Sequence, residues 1–292
     1  MTKRIFKWLG IVVASLVLII IIFYAVVYFN MERRMNKTYG FTPSSITIPM
    51  DSASIAAGSH LVKIKGCSDC HGSNLAGVTM IDNFPLGRLS SRNLTRGEGG
   101  LAAGYSVNDW MRALEHGVDK NGKPLLFMPS QETTMMSKSD IAAVIAYCSQ
   151  VPPVNNRLPE NRLGPVTRIM SFLGKMPLLS VEKIDHNKSL TEMVDTSNAL
   201  AYGKYLSIPC AGCHKPNLKG GEPVAPGYPV VRDITSTGRI GTWSQEQFIH
   251  ALRTGERPDG KPLDNESMPW KMTAHYSDKE LASVYAYLKS VK

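Results

Sequence analysis

Nowhere among its 292 residues does the chain interleave a basic patch with aromatics, and aromatic residues make up only 8% of it. That excludes nucleic acid as a partner despite a sequence pI near 9.3. The formal net charge of +9 does not restore it: residues 1–37 hold six Lys/Arg and one Glu, so +5 belongs to the N-terminal segment and +4 to the rest. Charge is missing altogether from Trp8 to Phe29. At about 1.5 Å per residue this run spans roughly 33 Å, enough for the hydrocarbon core of a bilayer. It also lacks a small-x-small cleavage site and passes through Tyr24, Tyr28 and Phe29 into Asn30-Met31-Glu32, so an uncleaved anchor is expected rather than a removed signal peptide. Charge does not orient it, because Lys3, Arg4 and Lys7 precede the run and Arg33, Arg34 and Lys37 follow it.

Cysteine is nearly as scarce, five residues in all. Four of them stand in two copies of one pattern, Cys67-Ser68-Asp69-Cys70-His71 and Cys210-Ala211-Gly212-Cys213-His214. C-x-x-C-H is the pattern through which c-type haem is attached to protein. Two thiols three positions apart reach the two vinyl groups of one porphyrin, and the adjoining imidazole then lies under the iron as proximal ligand. Two covalently bound haem c groups are expected, one on Cys67 and Cys70 with His71, the other on Cys210 and Cys213 with His214. A single four-cysteine zinc site competes with this reading but leaves both histidines unexplained. Thioether attachment in bacteria takes place on the periplasmic side of the inner membrane, so the chain beyond the anchor is expected to be exported.

The two halves repeat each other. At an offset of 143, Cys67 to His71 falls on Cys210 to His214 and Asn74-Leu75 on Asn217-Leu218. At 140, Arg92-Asn93-Leu94-Thr95 falls on Arg232-Asp233-Ile234-Thr235 and Met128-Pro129 on Met268-Pro269, and at 138 Gly122-Lys123-Pro124-Leu125 falls on Gly260-Lys261-Pro262-Leu263. Two tandem copies of one small domain are the simplest account. The repeat also bears on the second iron ligand. His60, His116, His186, His250 and His275 have no His at the matching place, which argues against bis-His ligation. Met128 and Met268 do match, and a thioether is the usual partner in electron-transfer cytochromes. They are the expected axial ligands opposite His71 and His214. Met135, Met136 and Met272 are rivals without a matching Met, and a Met-Pro that fills a gap in an apolar loop is the plainer alternative.

Local signals place helices around these residues. Ser106-Val107-Asn108-Asp109 and Ser244-Gln245-Glu246-Gln247 read as capped helix starts, with Gly117 and Gly255 as stops. Ser137 to Asp140 and Ser277 to Glu280 open a last helix in each copy, with Ile141, Val144, Ile145, Cys148 and Leu281, Val284, Tyr285, Leu288 on one face. Cys148 stands where the second copy has Leu288, so core filler is expected of it. Residues 52–65 and 196–207 read as helices leading into the haem motifs. Pro152, Pro153, Pro159, Pro165 and Pro177 argue against regular structure between the copies. Within that stretch Val166 to Leu179, apolar and basic in turn, is expected to cover the joint between domains in preference to lying on the membrane. Arg92, Arg232, Tyr105 and Trp243 recur in matching places as candidate propionate contacts, with solvated side chains as the alternative for the arginines. The Pro216 carbonyl is a candidate acceptor for the imidazole N–H of His214.

The run Arg-Asn/Asp-Leu/Ile-Thr, an aromatic with Ser, a short helix ending in Gly, Gly-Lys-Pro-Leu, Met-Pro and a last helix resembles the cytochrome subunits of membrane-bound alcohol and gluconate dehydrogenases, over roughly 200 of the 292 residues. The resemblance implies an all-α fold of two tandem class I cytochrome c domains, His/Met haems and passage of electrons toward a quinone or a terminal oxidase. Those subunits typically carry three haem motifs, whereas this chain has two and an N-terminal anchor.

The expected organisation is a cytoplasmic N-terminus over 1–7, a transmembrane anchor over 8–29, a tether over 30–50, a first cytochrome c domain over 51–153, a linker over 154–194 and a second domain over 195–292. The expected function is relay of single electrons at the periplasmic face of the inner membrane, without substrate chemistry. Its partners would be a dehydrogenase, a quinol-oxidising complex or a terminal oxidase. A dihaem enzyme such as a cytochrome c peroxidase or thiosulfate dehydrogenase is the alternative. It needs one iron with an open sixth site, and the equivalent Met-Pro segments argue against that asymmetry. No kinase, cyclase or DNA-binding region remains to serve a haem-based sensor.

Overall fold

The structure, a computed structural model, describes residues 2–224 and 227–292. Met1 of the expected N-terminal segment and Ala225-Pro226 of the expected second domain lie outside the described residues. The uncharged run belongs to a first helix, α1 (Thr2–Met35), which continues six residues past Phe29. Its apolar side chains from Ile5 to Ile22 stand exposed, and only Val27 and Met31 are buried. By length and composition the helix is able to cross a membrane. Its far end is packed into protein, with Met31 against Leu89, Val118, Leu178, Leu179 and Val181. Residues 36–50 then run without helix or strand over the first domain. The Tyr39 N–H donates to the Gly122 carbonyl (2.9 Å), Ser44 donates through its N–H and hydroxyl to the Glu115 carboxylate (2.8 and 2.6 Å), and the Phe41 ring stacks on His186.

The first domain is built from α2 (Ser52–Ile64), α3 (Cys67–His71), a hairpin of β1 (Thr79–Asn83) and β2 (Gly87–Ser90), α4 (Val107–His116), α5 (Ser130–Thr133) and α6 (Lys138–Gln150). A two-residue strand, β3 (Arg162–Leu163), extends the hairpin to an antiparallel sheet in the order β1-β2-β3. After α7 (Pro165–Phe172) the second domain repeats the helices as α8 (Ala199–Leu206), α9 (Ile208–His214), α10 (Gln245–Thr254), α11 (Trp270–Thr273) and α12 (Asp278–Ser290). The expected caps are present. Capping boxes join Ser106 with Asp109, Ser244 with Gln247 and Ser277 with Glu280, and Ser137 accepts from the Asp140 N–H. Gly117 and Gly255 stop α4 and α10 with φ of 67° and 75°, where a side chain would be strained.

In each domain the first helix crosses the last, α2 over α6 and α8 over α12. Gly58 and Gly203 sit at the crossings, where any side chain would overlap the carbonyls of Ala143 and Ser283. The missing Cβ therefore lets backbone meet backbone. Cys148 is buried in the core, in the place Leu288 takes in the second copy.

The domains share that core, with Leu61, Ile64 and Met136 from the first packed in one cluster with Tyr205, Leu206 and Tyr276 from the second. The glycines at the two crossings lie 145 apart, two more than the haem motifs, and at 145 His60 falls on Tyr205. These two residues reach across in reciprocal fashion. His60 Nε2 bonds the Glu280 carboxylate at 2.9 Å, and the Tyr205 hydroxyl donates to Asp140, the residue matching Glu280. The Tyr276 hydroxyl lies 3.0 Å from the Ile64 carbonyl and 3.2 Å from that of Leu206, so one side chain ties the ends of both helices that lead into the haem motifs.

The stretch between the domains differs from expectation in two ways. It holds regular structure, because Pro165 stands in the first turn of α7, where a missing N–H costs nothing, and Pro177 lies beyond its end. And α7 does not cover the joint: it packs on α1, with Phe172 edge-on to Phe23 (centroids 6.2 Å apart) and Arg168 bonded to Glu32 at 2.7 Å. Residues 154–161 fold back over the first domain, where Asn93 donates to the Val154 carbonyl (2.8 Å), Asn156 to that of Ala76 (2.9 Å), and the Ser90 N–H to Asn161 (2.6 Å).

Candidate haem sites

Each C-x-x-C-H motif forms a short helix that ends at its histidine, and the next few residues fold back on that helix. The Gly77 N–H donates to the His71 carbonyl (2.7 Å) and the Gly220 N–H to that of His214 (2.8 Å), through turns in which Leu75 and Leu218 take φ of 57° and 61°. The turn then holds a later segment alongside, by Leu94 N–H to Leu75 (2.8 Å) and Ile234 N–H to Leu218 (3.0 Å). This places the Arg92 and Arg232 carbonyls where the imidazoles reach them. His71 Nδ1 donates to the Arg92 carbonyl and His214 Nδ1 to the Arg232 carbonyl, both at 2.7 Å. Pro216 is therefore not the acceptor, because the turn after His214 puts the carbonyl of a residue 18 positions on against the ring. With Nδ1 engaged, each ring keeps Nε2 for a metal. Burial lowers the pKa of both histidines and so favours the neutral, ligating form.

In the second domain Cys213, His214, Arg232, Trp243 and Met268 line one cavity of about 330 Å³, walled by Phe248, Leu252 and Leu263 among others. The apolar wall with His and Met on it fits a haem. In the first domain Cys67, Leu94, Tyr105 and Met128 pack against the core, and the Arg92 guanidinium lies 5.7 Å from the Tyr105 ring centroid. The Tyr105 hydroxyl donates to the Asp109 carbonyl (3.2 Å), and the Trp243 carbonyl accepts from Tyr285 (2.7 Å). Of the rival methionines, Met136 is buried in the core and Met135 is exposed. Met272 faces the other domain, its Sδ 3.3 Å from where a side chain on Gly66 would begin. Burial pushes the Cys67 and Cys210 thiols up to about 11, the opposite of the depressed pKa of a reactive redox dithiol.

The interface adds residues that sequence reasoning missed. Glu132 of the first domain matches Met272 of the second at 140, and each stands over the other domain's motif: a Glu132 oxygen lies 3.0 Å from where a side chain on Gly212 would begin. Burial raises the Glu132 carboxyl to about 7. Between the motifs Lys65 lies over the Tyr205 ring (4.0 Å) and reaches the Tyr205 carbonyl (3.3 Å), and burial lowers its pKa to about 8. A repeat traced through identical residues passes over such pairs, since Glu and Met, or His60 and Tyr205, share no chemistry.

Two segments, residues 55–152 and 200–292, match the sequence profile of the cytochrome c family. The chain belongs to the cytochrome c family. Both segments contain a haem motif on the same helical frame, and an apolar helix precedes them. Among characterised proteins this cytochrome is similar to the cytochrome c subunit of alcohol dehydrogenase (quinone) from Gluconobacter oxydans, 27% identical over 82% of this chain and 55% of the relative. It is 25% identical to the fructose dehydrogenase cytochrome subunit of Gluconobacter japonicus over 86% of this chain and 54% of that one. It is also 25% identical to the gluconate 2-dehydrogenase cytochrome c subunit of Pantoea cypripedii over 82% and 60%. The chain thus spans little more than half the length of these relatives. A solved chain of the Kuenenia stuttgartiensis reducing HAO-like protein complex matches at a TM-score of 0.23 and 16% identity, over 84% of this chain and 99% of that one, a likeness too low to carry argument.

Proposed function

We propose that the chain is a membrane-anchored dihaem cytochrome c that relays single electrons at the periplasmic face of the bacterial inner membrane. Haem c, bound through Cys67 and Cys70 and through Cys210 and Cys213, supplies the one-electron chemistry. His71 with Met128 and His214 with Met268 would hold the irons, and Arg92, Arg232, Tyr105 and Trp243 would be the groups available to the propionates. The observation that carries this reading is the interface. Cys67 of the first attachment motif and Cys210 of the second pack on one shared core, with Lys65 and Glu132 close to the cysteines of both, which supports a short path between two redox groups inside one chain. His/Met ligation of both irons would leave no open position for a substrate, which favours a relay over a peroxidase or thiosulfate dehydrogenase. The apolar α1 supports anchoring, and the named relatives support a dehydrogenase as electron donor, with an oxidase or other acceptor beyond.

Pyridine haemochrome should give two haems per chain, and Cys67→Ala with Cys70→Ala should leave one, still covalent on a denaturing gel. A count of one in the unaltered protein would overturn the dihaem reading. A high-spin haem that binds cyanide and turns over peroxide would replace the relay with the enzyme.

A further inference from the structure

The short helix α7 lies against α1 at two heights. Near its start, the Arg168 guanidinium sits 4.4 Å from the Tyr28 ring centroid and bonds Glu32 at 2.7 Å. One turn later Phe172 meets Phe23. Moving along α7 therefore means moving down α1, toward the middle of the uncharged run. Phe23 is six residues inside the end of that run at Phe29, about 9 Å along the helix. If Trp8 to Phe29 spans the bilayer, Phe172 shares the depth of Phe23 and lies below the level of the headgroups.

The segment is built for that position. At its tip the N–H of Leu173 donates to Ile169, that of Gly174 to Ser171, and those of Lys175 and Met176 to Met170, so the turn leaves no backbone donor that needs water. Unpaired donors are costly in an apolar phase. Gly174 takes φ of 70° with nothing near it, which allows the sharp reversal. Leu173, next to Phe172 at the deep end of the segment, is 56% exposed. Lys175 stands exposed beside the tip, where a long stem lets its charge reach the headgroups. Beyond it the chain climbs back into the core at Leu178 and Leu179.

We propose that α7 and its tip are a second membrane element, which dips into the lipid of one leaflet beside α1 and holds the first haem domain at a fixed height and rotation on the bilayer. The proposal rests on the reading of α1 as a membrane span. Its consequence is that the haem domains are seated on the membrane rather than swinging from a tether, so a redox partner meets them in one orientation.

The test is depth-dependent spin-label relaxation in the full-length holoprotein, reconstituted in phosphatidylethanolamine/phosphatidylglycerol liposomes. Single labels are placed at Leu173→Cys, at Val17→Cys in α1 and at exposed Lys120→Cys, each in a Cys148→Leu background with both haems confirmed by haemochrome. Leu173 is exposed, so the label does not disturb the core. The expected result is that oxygen relaxes the labels at 173 and 17 more strongly than a water-soluble nickel chelate does, with the reverse at 120. If the label at 17 behaves as buried in lipid while that at 173 is as open to nickel as that at 120, the proposal is overturned and exposed Leu173 faces a protein partner or water. Nickel access at both 17 and 173 overturns the anchor reading together with it.

Discussion

Glu280 joins the two domains and caps α12, and replacing it by Gln separates those tasks. Its side chain is 8% exposed, and its carboxylate bonds His60 Nε2 at 2.9 Å and accepts from the Ser277 N–H at 2.7 Å and the Tyr202 hydroxyl at 3.2 Å. Burial alone would raise its pKa, but the bonds from His60 and Ser277 outweigh burial and hold it at about 2, against 4.5 for a free glutamate. At about 1.4 kcal/mol per tenfold change in acidity this amounts to about 3.5 kcal/mol at most, part of which the hydrogen bonds of a Gln would retain. Gln at this place keeps the capping box, as Gln247 does on α10, so Glu280→Gln removes the charge and leaves the cap. The expected loss at pH 7 is about 2–3 kcal/mol, whereas Ser277→Ala, which keeps the charge and the His60 bond, should cost about 1 kcal/mol. Because the folded-state pKa is depressed, the contribution is complete above pH 4.5 and fades as pH falls through about 2. Urea unfolding of the detergent-solubilised holoprotein, followed by far-UV circular dichroism, should show the gap between wild type and Glu280→Gln closing across that window. A gap under about 0.5 kcal/mol at pH 7, the scatter of ordinary surface changes, or one that persists unchanged at pH 2, would refute the reasoning.

Met128→His and Met268→His should each lower the midpoint potential of one haem and spare the other, with loss of the weak sulfur-to-iron absorption near the red end of the spectrum; an unchanged titration would remove that methionine from the iron. Gly203→Ala pushes a methyl into the Ser283 carbonyl and should destabilise the second domain by about 1–3 kcal/mol or more, while Gly104→Ala, with open space around it, should not change thermal unfolding. Glu132 is ionised above about pH 7, and a carboxylate between the motifs stabilises oxidised iron. The wild-type potentials should therefore fall as pH rises through 7, and those of Glu132→Gln should lie higher at pH 8 but coincide with wild type at pH 6. Potentiometry that shows no difference at pH 8 would place the carboxylate too far from either iron to matter.

Much of this cytochrome was determined by features that need only a few neighbouring residues to work. Thioether attachment depends on covalent spacing, so Cys67 to His71 and Cys210 to His214 announce haem in any fold. Capping boxes close within one turn, so Ser106, Ser244 and Ser277 mark helix starts without reference to the rest of the chain. Cys148 took its meaning from Leu288 because the copies share a core pattern. What only the tertiary structure decided involves groups brought together from far apart. His60 meets Glu280 and Tyr205 meets Asp140 because two copies pack face to face, and neither pairing leaves a trace in local spacing. The imidazoles find the Arg92 and Arg232 carbonyls, and not that of Pro216, because the turn after each motif is tied back to the histidine. The prolines around α7 suggested irregular chain, but a proline in the first turn is compatible with a helix. Where that helix lies was set by Phe23, Tyr28 and Glu32, more than 130 residues away, since burial and ion pairing act on whatever the fold brings into contact.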